Sequence, residues 1–246
     1  MKVDLNDITM TLKQWAYPLR CPVCHDIVPY EDVALGICHA CVQAIPLIRG
    51  SRCFCCGRKL LVETDEYCLD CQKTRPFHVY DRGLSLCSYD ELMRACVYRL
   101  KYGHRGEYGM SLGRLMGRYF YKSLTRLGAD GIVAVPLHPK RQKKRGYNQA
   151  ELLAKGVSKV TGIPYYEGYI LRQKNTLPSK DLNSVQRQNN LKNAFKVRQN
   201  VVKLNITIVI DDIYTTGSTI DAVCRALKRA GTKRVYFLVL AIGEDN

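Results

Sequence analysis

The sequence predicts an α/β protein, a mostly parallel sheet flanked by helices behind a small cysteine-rich region. Two observations carry this. Apolar, strand-length runs at Ile132–Pro136, Ile206–Ile210 and Val235–Ile242 alternate with segments of helical periodicity, the pattern of a doubly wound sheet. Ahead of them, two pairs of C-x-x-C motifs lie in tandem.

Residues 1–17 read as a short amphipathic helix, with Ile8, Leu12 and Trp15 on one side. They lack the apolar core of a signal peptide. No apolar run approaches the roughly 18 residues of a membrane span. A cytoplasmic location without membrane insertion is therefore expected, and the cysteines then point to metal rather than disulfides.

Cys21-Pro-Val-Cys24 is followed by Cys38-His-Ala-Cys41, and Cys53-Phe-Cys-Cys56 by Cys68-Leu-Asp-Cys71. Each C-x-x-C places two thiolates on one knuckle, and two knuckles complete a tetrahedral four-sulfur site suited to Zn²⁺. Redox dithiols and an iron–sulfur centre are the competing readings. In the second site Cys53, Cys55 and Cys56 compete for two positions, and spacing favours Cys53 and Cys56. His25 and His39 flank ligands but are not needed. Closed sites of this kind have no open position for substrate, so two structural Zn²⁺ ions are expected, supplying folding energy to a short segment.

The charge is unevenly placed. Residues 1–84 hold 10 Lys+Arg and 10 Asp+Glu, so the whole formal net charge of +16 falls in residues 85–246. Eight thiolates and two Zn²⁺ would lower it to roughly +12. Such a field suits polyanions, either nucleic acid or a ligand with several phosphates.

In the basic part, Ser88–Lys101 reads as a helix with Leu92, Cys96 and Leu100 at helical spacing. A second helix is expected over about Tyr108–Leu127. The strand Ile132–Pro136 then leads into a basic loop with five Lys/Arg between Lys140 and Arg145. Tyr147 adds a stacking face, so Lys140, Arg141, Lys143, Lys144, Arg145 and Tyr147 are candidate contacts for single-stranded nucleic acid. A helix over Ala150–Val160 stops at Gly162. Arg172, Lys174, Lys180, Arg187 and Lys192 mark a second basic stretch, read as a mobile loop. His104 and His138 are candidate acid/base groups.

The most informative segment is Ile208-Val-Ile-Asp-Asp-Ile-Tyr-Thr-Thr-Gly-Ser-Thr-Ile220. A buried strand ends in two carboxylates, a small hydroxyl-rich turn follows, and a helix begins. Backbone N–H groups at a helix start favour a phosphate, Gly217 lets it approach, and paired carboxylates accept from a ribose diol. An ordinary βα turn is the bland alternative.

This run resembles the phosphoribosyl pyrophosphate (PRPP) motif of type I phosphoribosyltransferases. The resemblance implies that Asp211 and Asp212 contact ribose hydroxyls and that Thr215, Thr216, Gly217, Ser218 and Thr219 hold the 5′-phosphate. It implies a type I phosphoribosyltransferase-like parallel sheet, with Mg²⁺ accompanying PRPP. Lys140, Arg141 and Arg145 are then candidates, with the two aspartates, for catalysis, stabilising the departing pyrophosphate.

Leu100-Lys-Tyr102, Val135-Pro-Leu-His-Pro-x-Arg141, Arg145-Gly-Tyr-Asn-Gln-Ala-Glu151 and the acidic pair follow the cysteine knuckles in an order that resembles the ComF (competence protein F) family. Arg172, Thr176, Leu182, Arg187, Asn190 and Phe195 extend the likeness, while Ser179 stands where a glutamine is expected. The expected organisation is a short helix over 1–17, a tandem zinc-ribbon domain over 18–80 and a phosphoribosyltransferase-like domain over 85–246. The family implies a role in DNA uptake during natural transformation, beside a helicase-like ATPase partner. Three functions fit: a transferase of unspecified acceptor, a PRPP-sensing adaptor, or a single-stranded-DNA binder.

Overall fold

The computed structural model describes residues 18–74, 78–173, 191 and 193–243. The expected N-terminal helix and the basic positions Lys174, Lys180, Arg187 and Lys192 lie outside them.

The cysteine region is built from two similar units. In each, the first C-x-x-C forms a turn: His25 N–H donates to Cys21 O at 2.9 Å, and Gly57 N–H to Cys53 O at 2.9 Å. The second C-x-x-C opens a short helix, α1 (His39–Ala44) after Cys38 and α2 (Leu69–Thr74) after Cys68. The first unit also carries a 3₁₀ turn, Tyr30–Asp32.

The main body starts with a strand that was not expected, β1 (Arg82–Ser88). Then come α3 (Glu91–Tyr102), α4 (Glu107–Tyr119), α5 (Tyr121–Arg126), β2 (Gly131–Ala134), α6 (Pro139–Arg145) and α7 (Gln149–Thr161). A small antiparallel pair, β3 (Ile170–Arg172) and β4 (Phe195–Val197), precedes β5 (Ile206–Tyr214), α8 (Ser218–Arg229) and β6 (Arg234–Ile242).

The main sheet runs β1-β6-β5-β2, all parallel. Thr207 to Ile210 and Leu238 to Ile242 are buried, as expected of strands covered on both faces. Register pairs Ile210 with Leu238 and Tyr214 with Ile242, so the end of β5 reaches the rim of the sheet.

Three expectations are corrected. The first helix begins at Glu91, not Ser88, because the Asp90 side chain caps it by accepting from Met93 N–H at 2.9 Å. The long second helix is two helices, α4 and α5, separated at Phe120. The basic run is helix α6 rather than a loop, since Pro139 presets its first turn, His138 caps it and Gly146 ends it in a left-handed conformation.

The edge of β1 is not left open. Ile48 N–H donates to Leu86 O (3.0 Å), Ser88 N–H to Pro46 O (3.1 Å) and Gly83 N–H to Cys55 O (2.7 Å). The Arg52 guanidinium adds a bond to Ser85 O at 2.6 Å. The cysteine units therefore cover the exposed strand that would otherwise invite intermolecular pairing.

Candidate functional site

Each set of four cysteines converges. The sulfurs of Cys21, Cys24, Cys38 and Cys41 all lie within 4.8 Å of one another, as do those of Cys53, Cys56, Cys68 and Cys71. Four thiols at that separation suit one tetrahedral ion, so both sets fit zinc. Cys55 lies just outside the second set, within hydrogen-bond reach of Cys71 and with its Sγ 3.5 Å from the Tyr80 hydroxyl.

At the C-terminal rim of the sheet, β5 carries Asp211 and Asp212, both buried. Asp211 Oδ1 accepts from Asp212 N–H and Asp212 Oδ1 from Ile213 N–H, each at 2.8 Å, which fixes both carboxyls. Burial, then the charge of Asp212, pushes Asp211 up to about 8. Sequence reasoning gave Lys101 no role of its own. Its Nζ reaches Asp212 Oδ2 at 2.8 Å from the last turn of α3. Burial opposes the charge on Lys101, but Asp212 and Asp211 outweigh it and raise its pKa. The available signal was the Leu100-Lys-Tyr102 run, which pointed to the position without its partner.

The chain leaves β5 through Thr215 and Thr216, both exposed, to Gly217 and Ser218, both buried. Gly217 holds φ at 76°, and α8 starts directly behind it. Thr216 Oγ1 and Ser218 Oγ lie 3.0 Å apart. No side chain caps this helix start, so its first N–H groups face the turn. Asp211, Thr215, Thr216, Gly217, Ser218 and Thr219 line one small pocket.

The basic helix α6 divides by periodicity. Arg141 and Arg145, four residues apart, are half-buried, while Lys140, Lys143 and Lys144 are exposed. Arg145 lies 5.5 Å from the Tyr102 ring centroid, and its Nη1 donates to Gln149 Oε1. Arg172 belongs to the same electrostatic group. Burial and Arg141 pull it down to about 10, while Asp211 acts in the opposite sense. His138 accepts from Lys140 N–H at 3.3 Å, and desolvation with Arg172, Lys140 and Arg141 lowers its pKa. His104 is exposed.

The Arg145-Gly-Tyr-Asn-Gln149 segment ties these walls together. The half-buried Tyr147 donates its hydroxyl to Leu100 O at 2.6 Å, one residue before Lys101. Asn148 caps α7 and donates from Nδ2 to Val135 O at 3.0 Å, at the end of β2. One short run thus fixes α3, β2 and α6 relative to one another.

Two family models match the chain: a double zinc ribbon domain over residues 12–72 and a phosphoribosyl transferase domain over residues 147–245. Over 204 residues the chain is 32% identical to the "DNA utilization protein YhgH" of Salmonella typhimurium, covering 81% of this chain and 87% of that one. The chain belongs to the ComF family. "Competence protein F" of Haemophilus influenzae is 29% identical over 84% of this chain and 90% of its own length. "Competence protein ComFC" of Bacillus subtilis is 26% identical over 79% of each. The ComF assignment accounts for both halves, the paired four-cysteine sites and the phosphoribosyltransferase-type sheet.

No helix among the described residues is long and apolar enough to cross a membrane.

Proposed function

We propose that this ComF protein binds Mg²⁺–PRPP at the end of β5 and serves the uptake or use of DNA, as the names of its relatives suggest. The single observation that carries the reading is the buried Asp211–Asp212 pair beside the uncapped start of α8. Asp211 and Asp212 accept hydrogen bonds from the ribose diol. The N–H groups and hydroxyls of Thr215 to Thr219 receive the 5′-phosphate. Lys101, Arg141, Arg145 and Arg172 supply cations for the pyrophosphate, a role the sequence suggested for Arg141 and Arg145 but not for Lys101 or Arg172.

A hard cation fits this oxygen-donor set, and Mg²⁺ bound there through water would offset pyrophosphate charge. Transfer to an acceptor, if it occurs, needs that leaving group stabilised and water kept out. Cysteines that gather at metal-ligand spacing rather than as disulfides suit a reducing cytoplasm, where a helicase-like ATPase would be the partner.

Calorimetry with Mg²⁺–PRPP on the wild type and on Asp211→Asn/Asp212→Asn tests the reading. Saturable binding is expected for the wild type and none for the variant. Equal heats from both, with pyrophosphate release absent, would count against it.

A second reading is favoured by the outward lysines of α6. Lys140, Lys143 and Lys144 are exposed, off the face that carries Arg141 and Arg145, and with Tyr147 offer a surface for single-stranded DNA.

A further inference from the structure

The two cysteine units grip different walls of the proposed phosphoribosyl site. The first unit meets α3, where Arg99, two residues before Lys101, donates from Nε (3.3 Å) and Nη2 (3.2 Å) to Pro22 O. The second unit meets the other wall, the turn and helix that would take the phosphate. Thr74, at the end of α2, lies 3.1 Å from His78 Nε2. On its other side His78 Nδ1 donates to Asp221 Oδ2 at 2.6 Å, and Val79 N–H donates to Asp221 Oδ1 at 3.1 Å. Asp221 is buried in the first turn of α8.

A parallel link runs through two phenols. Tyr80, within reach of Cys55, has its hydroxyl 2.8 Å from that of Tyr214, the last residue of β5. Burial keeps both phenols neutral. The Tyr214 hydroxyl lies beneath Gly217, where an added Cβ would come within 2.5 Å of it. Phe237 packs against both rings, edge-on to Tyr80 and stacked on Tyr214, which leaves the pair little freedom to drift. The second four-sulfur cluster is therefore wired to the floor of the turn and to the first turn of its helix.

We propose that Tyr80 and His78 are positioning residues of the phosphoribosyl site, through which the second zinc-binding knuckle sets the shape of the Thr215–Thr219 turn. This rests on the PRPP reading only for its ligand, since the coupling itself is a property of the free protein. It gives the zinc-ribbon region a purpose beyond covering the β1 edge.

The test uses the full chain and three conservative variants, Tyr80→Phe, His78→Gln and Tyr119→Phe. The last removes a comparable link from the cysteine region to the main body, the Tyr119 hydroxyl to Ile48 O at 2.6 Å, away from the turn. Zinc content is measured to confirm that both clusters stay filled. Amide hydrogen exchange of residues 215–221 without ligand then reads the coupling, and Mg²⁺–PRPP calorimetry reads its consequence.

Faster exchange in Tyr80→Phe and His78→Gln but not Tyr119→Phe is expected, with affinity weaker by on the order of fivefold per lost bond. Tyr80→Phe/Tyr214→Phe is expected to be no worse than Tyr80→Phe alone, because both substitutions break the same Tyr80–Tyr214 contact. Unchanged exchange at full zinc content, or the same change in Tyr119→Phe, would overturn the coupling. If the wild type fails to bind Mg²⁺–PRPP, the ligand reading falls while the exchange result still decides the coupling.

Discussion

Lys101 Nζ sits 2.8 Å from Asp212 Oδ2, placing a cation from α3 against the acid pair that ends β5. Without it, two adjacent buried carboxyls would lose the cation paired with Asp212. Lys101→Met removes the cation and leaves Asp212 buried and uncompensated. The Asp212 side chain is 6% exposed and that of Lys101 22%, so the loss falls near the lower end of that for breaking a buried pair, about 2–3 kcal/mol. Denaturant unfolding at neutral pH checks this, and Lys101→Arg is expected to recover part of it.

Asp211 makes the free protein pH-dependent. Its pKa is raised to about 8 from an ordinary 3.8, so between these values the folded state keeps a proton that the unfolded state has lost. The stability tied to this group is fully present below about pH 4 and is lost as pH rises through 8. Asp211→Asn is expected to flatten the decline, measured as the difference between variant and wild-type unfolding free energy from pH 5 to 9. Ligand binding runs the other way: an acid pair that must accept from ribose or hold Mg²⁺ binds better ionised. Wild-type affinity for Mg²⁺–PRPP is therefore expected to rise toward pH 8 with proton release, read by calorimetry in buffers of different ionisation heat.

What was legible in the sequence depended on where the physics was local. Ile206–Ile210 and Val235–Ile242 announce buried strands because β-branched and apolar side chains suit a sheet covered on both faces. Arg82–Ser88 does not, because its partners, β6 on one side and Pro46, Ile48 and Cys55 on the other, all lie far away in the chain. The run Lys140–Arg145 looked like a loop because five like charges repel. The caps at His138 and Gly146 make it a helix, and only the helix separates inward arginines from outward lysines. Asp211, Asp212 and the Thr215–Thr219 turn were readable since their chemistry is contiguous. The roles of Lys101, His78 and Tyr80 were not, because a Lys at a helix end or a lone aromatic shows no partner until the fold supplies Asp212, Asp221 and Tyr214.

Gly217 combines a left-handed backbone with a crowded underside. At φ 76°, an alanine is strained, and its Cβ would approach the Tyr214 hydroxyl to 2.5 Å. Gly217→Ala is expected to cost about 1–3 kcal/mol of stability and to weaken Mg²⁺–PRPP binding. Placing it in a Tyr214→Phe background removes the clashing oxygen but neither the ring carbon 2.9 Å from the added Cβ nor the backbone strain, so only part of the loss should return. Thermal unfolding of the two single variants and the double variant separates the terms.

The second metal site distinguishes three neighbouring cysteines. Cys53 and Cys56 lie within the four-sulfur cluster, while Cys55 lies beside it, next to both Cys71 and Tyr80. Metal analysis is expected to find close to two zinc ions per chain in the wild type and in Cys55→Ser, and about one in Cys53→Ser. Retention of two ions by Cys53→Ser would mean that Cys55 can replace it.

The outward face of α6 separates DNA binding from the phosphoribosyl site. Lys140, Lys143 and Lys144 are exposed, and none of them is the residue that faces Asp212. If they contact phosphates of a single strand, each releases roughly 0.7 counterion on binding. Replacing all three by alanine should then lower the slope of log affinity against log salt by about 2 and weaken binding uniformly across sequences. Mg²⁺–PRPP affinity should stay close to wild type, since Arg141 and Arg145 remain on the inner face. Fluorescence anisotropy with a labelled oligonucleotide at several salt concentrations makes the measurement. An unchanged slope would move the DNA surface away from α6, and a parallel fall in PRPP affinity would show that inner and outer faces of this helix do not act separately.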